Sequence, residues 1–243
     1  MIIDFRQATL LNSDFMTKLQ ILNKEIVGCT LCPRLVEYRA EVARVKRRAY
    51  LDWEYWGKPV PGFGDPNAEL MLIGLAPGAH GANRTGRMFT GDRSGDFLYS
   101  VLFDAGFASQ PHSVRAGDGL TLWNAYIGAA VRCAPPDNKP ALDEIRNCRP
   151  YLERELTLLP NLKVVVVLGK LALDSYLSIL KSQGKIERRS AFVFGHDREY
   201  RTGPAGPVLI CSYHPSQQNT STGKLTTQMF RAVFERARRY LDA

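Results

Sequence analysis

The chain has 243 residues, of which 45% are hydrophobic, and it carries a formal net charge of +8. This length and apolar content support a packed core and exclude a disordered chain, and no apolar window is long enough to suggest a membrane span. The N-terminus also lacks a secretory signal, so we expect an intracellular protein. The positive charge favours a polyanionic partner, with nucleic acid ahead of an acidic membrane surface.

Helical and apolar patterns alternate along the chain. Helices are predicted at Ser13 to Val27, about Val36 to Arg48, around Phe97 to Gly106, Asp143 to Leu159, Lys170 to Lys181 and Thr226 to Leu241. Apolar strands are predicted at Leu70 to Ile73, Lys163 to Leu168 and Val208 to Ser212, and a strand or strand pair at Leu120 to Val131. Strands that alternate with helices predict an α/β fold whose mainly parallel sheet is covered on both faces.

Caps, prolines and aromatic residues add local detail to these segments. Asn12 or Ser13 is expected to cap the first helix, and Pro150 is expected to kink or split the helix that contains it. A Pro-flanked connector holds three aromatic residues, Trp53, Tyr55 and Trp56. Covering an edge of the core is the favoured role for these rings, and stacking on nucleic-acid bases is the alternative.

The loop from Gly74 to Gly95 follows the first predicted strand and holds residue types suited to chemistry. Its glycines let the backbone approach a ligand, and its side chains include Arg84, Arg87, Arg93, Phe89 and Asp92. The P-loop and dinucleotide-binding fingerprints are both absent. The loop therefore suits a flat substrate that bears phosphate, although a long turn without function is the alternative interpretation.

A second polar loop follows the last predicted strand and carries His214. The carboxyl ends of parallel strands share one edge of the sheet, where ligands bind, so the two loops should meet there. Hydrogen-bonding residues suited to phosphate or a nucleic-acid groove come after the histidine: Ser216, Gln217, Gln218, Asn219, Thr220, Ser221, Thr222 and Lys224. A structural histidine in a solvated loop is the alternative.

Four of the five cysteines form two groups that suit ligation. Cys29 and Cys32 make a C-x2-C pair, and Cys133 and Cys148 are separated by fourteen residues. Four thiolates suit either tetrahedral zinc or a [4Fe-4S] cluster, and the spacing does not choose between them. Scattered buried thiols are the remaining alternative. Cys211 continues an apolar strand and is expected to be buried as a small hydrophobic residue.

These segments together resemble the uracil-DNA glycosylase superfamily, most closely its family 5, the iron-sulfur-containing type b enzymes. The similarity covers roughly Cys29 to Arg231. Six segments carry it in order: CTLCPRL, PVPGFGDP, GLAPGAHGANRTGRMFTGD, AAVRCAPPDNKP, VVLGKLAL and SYHPSQQNTSTGKLT. It implies a three-layer α/β/α sandwich around a mainly parallel four-stranded sheet, in one domain over residues 1–243 with an N-terminal helical extension that binds the cluster.

The resemblance also implies a cofactor, an activity and a partner. The cofactor would be a [4Fe-4S] cluster, with zinc the alternative, on Cys29, Cys32, Cys133 and Cys148. The activity would be excision of uracil and other deaminated bases from DNA, without a lyase step, because no lysine stands at a recognised nucleophile position. We expect a monomer that acts on DNA containing deaminated bases, in the cytoplasm at the nucleoid, without a membrane partner.

The family pattern assigns catalytic roles to Asp92, Asn138 and His214. Breaking an N-glycosidic bond develops positive charge on the deoxyribose and negative charge on the departing base, so a carboxylate and a hydrogen-bond donor should stand on opposite sides. Asp92 would stabilise the sugar and orient water, and His214 would donate to the O2 atom of the base as a neutral imidazole. Asn138 would position water or substrate.

The remaining roles concern the flipped nucleotide and the DNA. Substrate-binding positions are Gly74, Leu75, Ala76, Phe89, Ala129 and Asn219, with Phe89 stacked beneath the base. DNA-binding positions are Arg84, Ser216, Gln217 and Lys224. Leu75 and Ala129 stand where many superfamily members carry polar residues that activate water and read the edge of uracil. Apolar residues there should loosen discrimination, so we expect excision of hypoxanthine or xanthine besides uracil, and a preference for weakly paired G:U sites.

Two other classes of function stay open from the sequence. One is a non-catalytic, metal-containing nucleic-acid-binding protein, in which the basic surface binds DNA and the cysteines only hold structure. The other is a redox protein whose cluster transfers electrons. Release of base from a uracil-containing duplex separates the enzyme from both.

Overall fold

The computed structural model describes residues 18–204 and 206–242, and within them the chain forms one six-stranded sheet flanked by helices. The strands are β1 Phe63–Gly64, β2 Leu70–Gly74, β3 Ala125–Ala129, β4 Val164–Leu168, β5 Glu199–Arg201 and β6 Val208–Ser212. The helices are α1 at residues 18–27, α2 Pro33–Val45, α3 Ala82–Thr85, α4 Arg93–Asp104, α5 Leu142–Thr157, α6 Lys170–Ser182, α7 Gln217–Ser221 and α8 Thr227–Leu241.

The sheet has the order β1-β3-β2-β4-β6-β5. The four central strands pair in parallel and every residue in them is buried, which explains their continuous apolar sequence. The prediction of four strands is corrected to six, because β1 and β5 add antiparallel edges. These edge strands are two and three residues long and only partly buried, so they leave no apolar run in the sequence.

Helices cover both faces of the sheet, which confirms the α/β/α sandwich. On one face α4 and α8 pack against alternate strand residues such as Leu72 and Val166. On the other face α1, α5 and α6 pack against the intervening residues, such as Met71 and Val165. Because side chains of a strand alternate between faces, the same four strands supply both cores.

Most predicted helices are confirmed with shifted ends. Helix α2 begins at Pro33, where proline suits the first helical turn. Helix α5 continues through Pro150, so the expected split does not occur. The predicted start of the first helix and its cap at Asn12 or Ser13 lie outside the described residues. Across residues 18–204 and 206–242, none of the helices has the length and apolar content that a membrane crossing requires.

The register of the central strands brings their carboxyl ends to one edge. Gly74 is opposite Ala129, and Leu168 is opposite Ser212. The loops that follow these strands therefore emerge side by side, as expected for a parallel sheet whose ligand crevice lies beyond its carboxyl ends.

Candidate active site

A cavity of about 920 Å³ opens beyond the carboxyl ends of β2, β3 and β6. It is lined by ten of the thirteen residues to which the sequence gave a catalytic, substrate-binding or DNA-binding role: Gly74, Leu75, Ala76, Phe89, Asp92, Ala129, Asn138, His214, Ser216 and Gln217. The other three of the thirteen, Arg84, Asn219 and Lys224, are not part of its lining. The cavity thus unites both polar loops with the loop after β3.

Asp92 occupies the cap position immediately before α4. Its Oδ1 accepts a hydrogen bond from the Gly95 amide at 3.0 Å, which satisfies one free donor of the first helical turn. A Cβ atom at Gly81 would lie 1.9 Å from Asp92 Oδ2, so only glycine admits the carboxylate at this position. Burial raises the pKa of Asp92, and the Gly95 and Ser94 amides act in the opposite direction. The helix terminus therefore fixes a partly desolvated carboxylate at the cavity wall.

Phe89 lies three residues before Asp92 in the same loop and has a strained backbone conformation. Its φ is 50°, a left-handed value that costs a bulky residue on the order of 1–3 kcal/mol. The neighbouring Met88 carbonyl is held by the Tyr99 hydroxyl at 3.0 Å. The phenyl ring is close enough to β2 that a Cβ atom at Gly74 would lie 3.0 Å from it. A ring held in this way offers a fixed flat surface to a ligand.

His214 faces Phe89 from the loop after β6. The centroids of the two rings are 5.8 Å apart, with an angle of 31° between their planes. Burial lowers the pKa of His214 to about 4, so the imidazole is neutral near pH 7. A neutral imidazole has one N–H group that can donate to a ligand.

Asn138 lies on the third loop, at the end of a short 3-10 turn. Its φ of 56° and that of Asp137, 53°, are both left-handed, a conformation that Asn and Asp tolerate better than most residues. Asn138 is exposed and lines the cavity. Its amide is thus available to a ligand that enters from solvent.

Arg84, which the sequence suggested as a DNA contact, is buried and bonded within the protein. The side chain is only 3% exposed, and its guanidinium donates to the carbonyls of His80 and Gly91 at 2.8 and 2.6 Å. It also packs against the rings of Tyr50 and Trp53, at 3.8 and 4.0 Å from their centroids. The latter contact fits the core-edge interpretation of the connector aromatics.

Arg87 is buried in a network that joins the Asp92 loop to the segment before β3. It donates to both carboxylate oxygens of Asp118 at 2.8 Å, to Thr90 Oγ1 at 2.9 Å and to Ser113 Oγ at 3.1 Å. The Gly91 amide also donates to the Ser113 carbonyl at 2.8 Å. Arg93, by contrast, is exposed and lines the cavity, so it is the arginine of this loop that can meet a phosphate.

The loop after β6 is held by its own side chains. Asn219 Nδ2 donates to the His214 carbonyl at 2.9 Å, and Ser216 Oγ accepts from the Asn219 amide at 3.4 Å. Gln217 is exposed beside these residues and lines the cavity. Lys224 is also exposed, with its ammonium 4.9 Å from the centroid of the Tyr213 ring. Asn219 thus shapes the histidine loop from outside the cavity lining.

One further titratable cavity residue, His80, has no role in the sequence interpretation. Its Nδ1 is 3.1 Å from the Tyr55 hydroxyl, which in turn accepts from the Arg47 amide at 3.4 Å. Burial and the charges of Arg47 and Arg84 lower the pKa of His80. The only signal in the sequence was its place within the Gly74 to Gly95 loop.

The cysteines of the two predicted pairs lie in one region beside α2 and α5. Cys32, Cys133 and Cys148 belong to one buried cluster, whereas Cys29 is partly exposed. Burial raises the pKa of Cys133 to about 11 and that of Cys148 to about 12. Cys211 is fully buried in β6, as predicted.

Hydrogen-bond donors point at these sulfur atoms. Arg39 is 6% exposed, and its Nη1 donates to Cys133 Sγ at 2.8 Å. Asn147 donates to Cys32 Sγ at 3.5 Å, and the Arg132 amide donates to Cys148 Sγ at 3.4 Å. The Arg39 charge and hydrogen bond act against the effect of burial on the pKa of Cys133. Within residues 18–204 and 206–242, however, no three or more His, Cys, Asp or Glu side chains are grouped so as to hold a single metal ion.

Comparisons with known proteins identify the family of the chain. The family model of the uracil DNA glycosylase superfamily matches residues 61–238, so the chain belongs to this superfamily. The match spans every strand of the sheet and the three loops that line the cavity.

Within the superfamily, the chain is similar to enzymes named type-5 uracil-DNA glycosylase. The protein from Thermus thermophilus is 51% identical over 214 residues, which cover 88% of this chain and 94% of the relative. The protein from Mycobacterium bovis is 48% identical over 219 residues, which cover 90% and 80% of the two chains. The protein from Pyrobaculum aerophilum is 44% identical over 212 residues, which cover 87% and 88%.

Proposed function

We propose that the protein is a monofunctional uracil-DNA glycosylase, which hydrolyses the N-glycosidic bond of uracil in DNA and leaves an abasic site for base excision repair. The observation that carries this proposal is one cavity lined by the Asp92 carboxylate, the His214 imidazole and the Phe89 ring. Membership of the superfamily and the names of the relatives support the same activity.

The two polar groups match the charges of the transition state. As the bond breaks, the sugar becomes positive, and the desolvated Asp92 carboxylate stabilises that charge and orients the attacking water. Asp92 is fixed by the start of α4, so little reorganisation is needed during the reaction. Asn138, at the exposed mouth, positions water or the sugar.

His214 serves the departing base. Negative charge accumulates on the pyrimidine, and a neutral N–H donor at the O2 atom stabilises the anion without full proton transfer. The lowered pKa of His214 keeps the ring in this neutral form. Phe89 supplies the stacking surface for the extruded base.

Leu75 and Ala129 extend the proposal to other deaminated bases. Both residues line the cavity and neither offers a hydrogen bond from its side chain to the base edge. The pocket therefore discriminates weakly by edge pattern, and hypoxanthine and xanthine are substrates besides uracil. Extrusion costs a few kcal/mol and least at mismatches, so G:U sites react faster than A:U sites.

A base-release assay tests the proposal. An end-labelled duplex with one uracil is incubated with the protein and treated with alkali, which cleaves abasic sites. Cleavage at uracil, none in the matched thymine duplex, and slower release by Asp92→Asn are expected. Tight binding without cleavage would instead support a non-catalytic nucleic-acid-binding protein. The same assay with hypoxanthine and xanthine opposite each normal base measures the lesion range.

A [4Fe-4S] cluster on Cys29, Cys32, Cys133 and Cys148 forms part of the proposal. The donor set supports it, because buried Arg39 and the Asn147 amide point at sulfur atoms that would carry thiolate charge. When bound, the cluster supplies structural cross-linking of the α2 and α5 regions. Arg39 and Asn147 offset thiolate charge by hydrogen bonding.

Colour and metal content test the cluster directly. Purified protein should be brown, with broad visible absorption and with iron and sulfide in equal amounts. Cys148→Ala should lose the absorption, whereas Cys211→Ala should keep it. Colourless protein with one zinc ion would overturn the cluster. A monomeric state and a cytoplasmic location at the nucleoid stay predictions from the sequence.

A further inference from the structure

His196 connects the histidine loop to helix α8 from outside the cavity lining. It stands just before β5, and its ring stacks on Tyr213 with centroids 5.1 Å apart and an angle of 25° between the planes. Its Nδ1 accepts a hydrogen bond from the Tyr213 amide at 3.2 Å, and its Nε2 is 3.3 Å from the Met229 carbonyl. Tyr213 immediately precedes His214, so this contact acts one residue from the proposed site.

The partners of the ring determine its tautomer. A backbone amide can only donate, so Nδ1 must be unprotonated where it meets the Tyr213 N–H group. A carbonyl can only accept, so Nε2 must carry the proton that it shares with Met229. Ser212 does not compete for Nδ1, because its hydroxyl donates to the Tyr213 carbonyl at 2.9 Å and is 3.5 Å from the ring nitrogen. Only the neutral Nε2–H form satisfies both contacts.

The residue that follows His196 is held by both its backbone and its side chain. The Asp197 amide donates to the Cys211 carbonyl at 2.8 Å, and its carboxylate accepts from Arg236 of α8 at 2.9 and 2.7 Å. Burial lowers the pKa of His196, with the Met229 carbonyl and the Asp197 charge acting in the opposite direction. Charged groups near this face include Glu199, which is 3.6 Å from Arg236, and Lys224 over the Tyr213 ring. Arg198 is another, because its side chain lies against Gly195, the residue before His196. These contacts tie the segment that carries the ring to β6 and α8.

We propose that His196 is a positioning residue, which holds the Tyr213 amide and thereby sets where the His214 imidazole stands in the cavity. This inference rests on the proposed glycosylase function. It differs from a purely structural role in that one of the two hydrogen bonds, the bond to Tyr213, matters for catalysis. The bond to Met229 only ties the ring to α8.

Two substitutions separate the two hydrogen bonds. An Asn side chain at position 196 reaches the place of Nδ1, where its oxygen accepts from Tyr213. A Gln side chain reaches the place of Nε2, where its amide donates to Met229. We expect His196→Gln to lower the single-turnover rate constant of uracil release about fivefold to tenfold, the loss typical of one hydrogen bond. His196→Asn should keep this rate constant within about twofold of the native value. The exposed His112→Gln serves as the matched control with unchanged kcat.

The same substitution in a His214→Ala protein distinguishes a positioning role from a general loss of structure. If His196 acts through His214, then His196→Gln should not lower the rate further in a His214→Ala protein. A further loss there, equal losses in the Asn and Gln variants, or native kcat in the Gln variant would each overturn the inference. Melting temperatures of all variants report any loss of folding separately.

The tautomer gives a test that needs neither activity nor a variant. In protein labelled with ¹⁵N-histidine, His196 at pH 7 should show a protonated Nε2 and an unprotonated Nδ1. The reverse tautomer would overturn the inference whatever the enzyme does. Failure of the native protein to release uracil would overturn the proposed function, and the tautomer would still be measurable.

Discussion

The two loops that meet in the cavity are held by different kinds of interaction. The Asp92 loop is braced by buried charges, since Arg87 and Asp118 form an ion pair whose side chains are only 6% and 11% exposed. The His214 loop is braced by neutral hydrogen bonds, from Asn219 to the His214 carbonyl and from the Tyr213 amide to His196. The loop with the carboxylate thus has the stronger interactions, but the loss of one partner from them destabilises the protein more.

The difference follows from what each loop must do. A carboxylate placed beside a developing cation must not move, and a buried ion pair with several hydrogen bonds gives such rigidity. Loss of one partner leaves a buried charge unpaired, which is far more destabilising than loss of one neutral hydrogen bond. We therefore expect single substitutions to cause large losses of stability and activity in the Asp92 loop and smaller losses in the His214 loop.

The largest effect is expected from Asp92 itself. Asp92→Asn keeps an N-cap residue but removes the charge, and release of uracil should fall on the order of a thousandfold. Burial raises the pKa of Asp92, so the ionised group opposes folding above that pKa, and the Asn variant should be at least as stable at pH 7. Asp92→Ala should also remove the helix cap, which should lower the unfolding free energy by about 1 kcal/mol.

Single-turnover kinetics and urea denaturation measure the two quantities. Near-native release by Asp92→Asn would show that the carboxylate does not stabilise the transition state. Equal stability of the Asn and Ala variants would contradict the capping role.

The buried ion pair is the next largest effect. Asp118→Asn leaves the Arg87 guanidinium without its carboxylate, and we expect a loss of about 3 kcal/mol in unfolding free energy together with a fall in kcat. The matched control is Asp174→Asn, which breaks the exposed pair with Lys170 and should change stability by less than about 1 kcal/mol. Similar losses from both substitutions, measured by urea denaturation, would remove the contrast between the loops.

Loss of one neutral hydrogen bond should have a smaller effect. Asn219→Ala removes the donor to the His214 carbonyl, which should lower unfolding free energy by about 1 kcal/mol and kcat by up to about tenfold. Ser175→Ala, which removes a side-chain bond to the Leu171 carbonyl on α6, is the control and should keep native kcat. An Asn219 effect as large as that of Asp92→Asn would contradict the smaller losses expected in this loop.

The smallest effect is expected in the pH dependence of kcat/KM, which should change little around neutral pH. Activity needs Asp92 ionised and His214 neutral, so kcat/KM should fall only on the acid side, where Asp92 gains a proton above its ordinary pKa and His214 gains one near pH 4. No step is expected near the usual histidine pKa of about 6.5. His214→Gln should keep the Asp92 limb. A step at pH 6.5 that disappears in that variant would contradict the neutral imidazole.

Apolar runs and helical periodicity were sufficient to predict the body of the fold. Strands such as Val164–Leu168 are buried on both faces, so their sequence is continuously apolar and easy to identify. The edge strands β1 and β5 were missed because backbone pairing alone defines such short, half-buried segments. Pro150 does not split its helix, which continues from Leu142 to Thr157, so that alternative of the prediction was wrong.

The sequence by itself determined which residues could carry chemistry, and that Asp92 and His214 would approach one another. Both follow strands of a parallel sheet, and the carboxyl ends of such strands share an edge whatever the details of packing. The loops and their strands are therefore encoded locally, in runs of a few residues.

Only the tertiary structure decided what surrounds those residues. Arg84 and Arg93 are the same residue type in one loop, yet Arg84 is buried among carbonyls and aromatic rings while Arg93 faces the cavity. Arg87 finds its carboxylate 31 residues away, and His196 meets Tyr213 from another segment. Burial and pairing of a charged or titratable side chain depend on contacts distant in sequence, so residue type and local pattern could not reveal them.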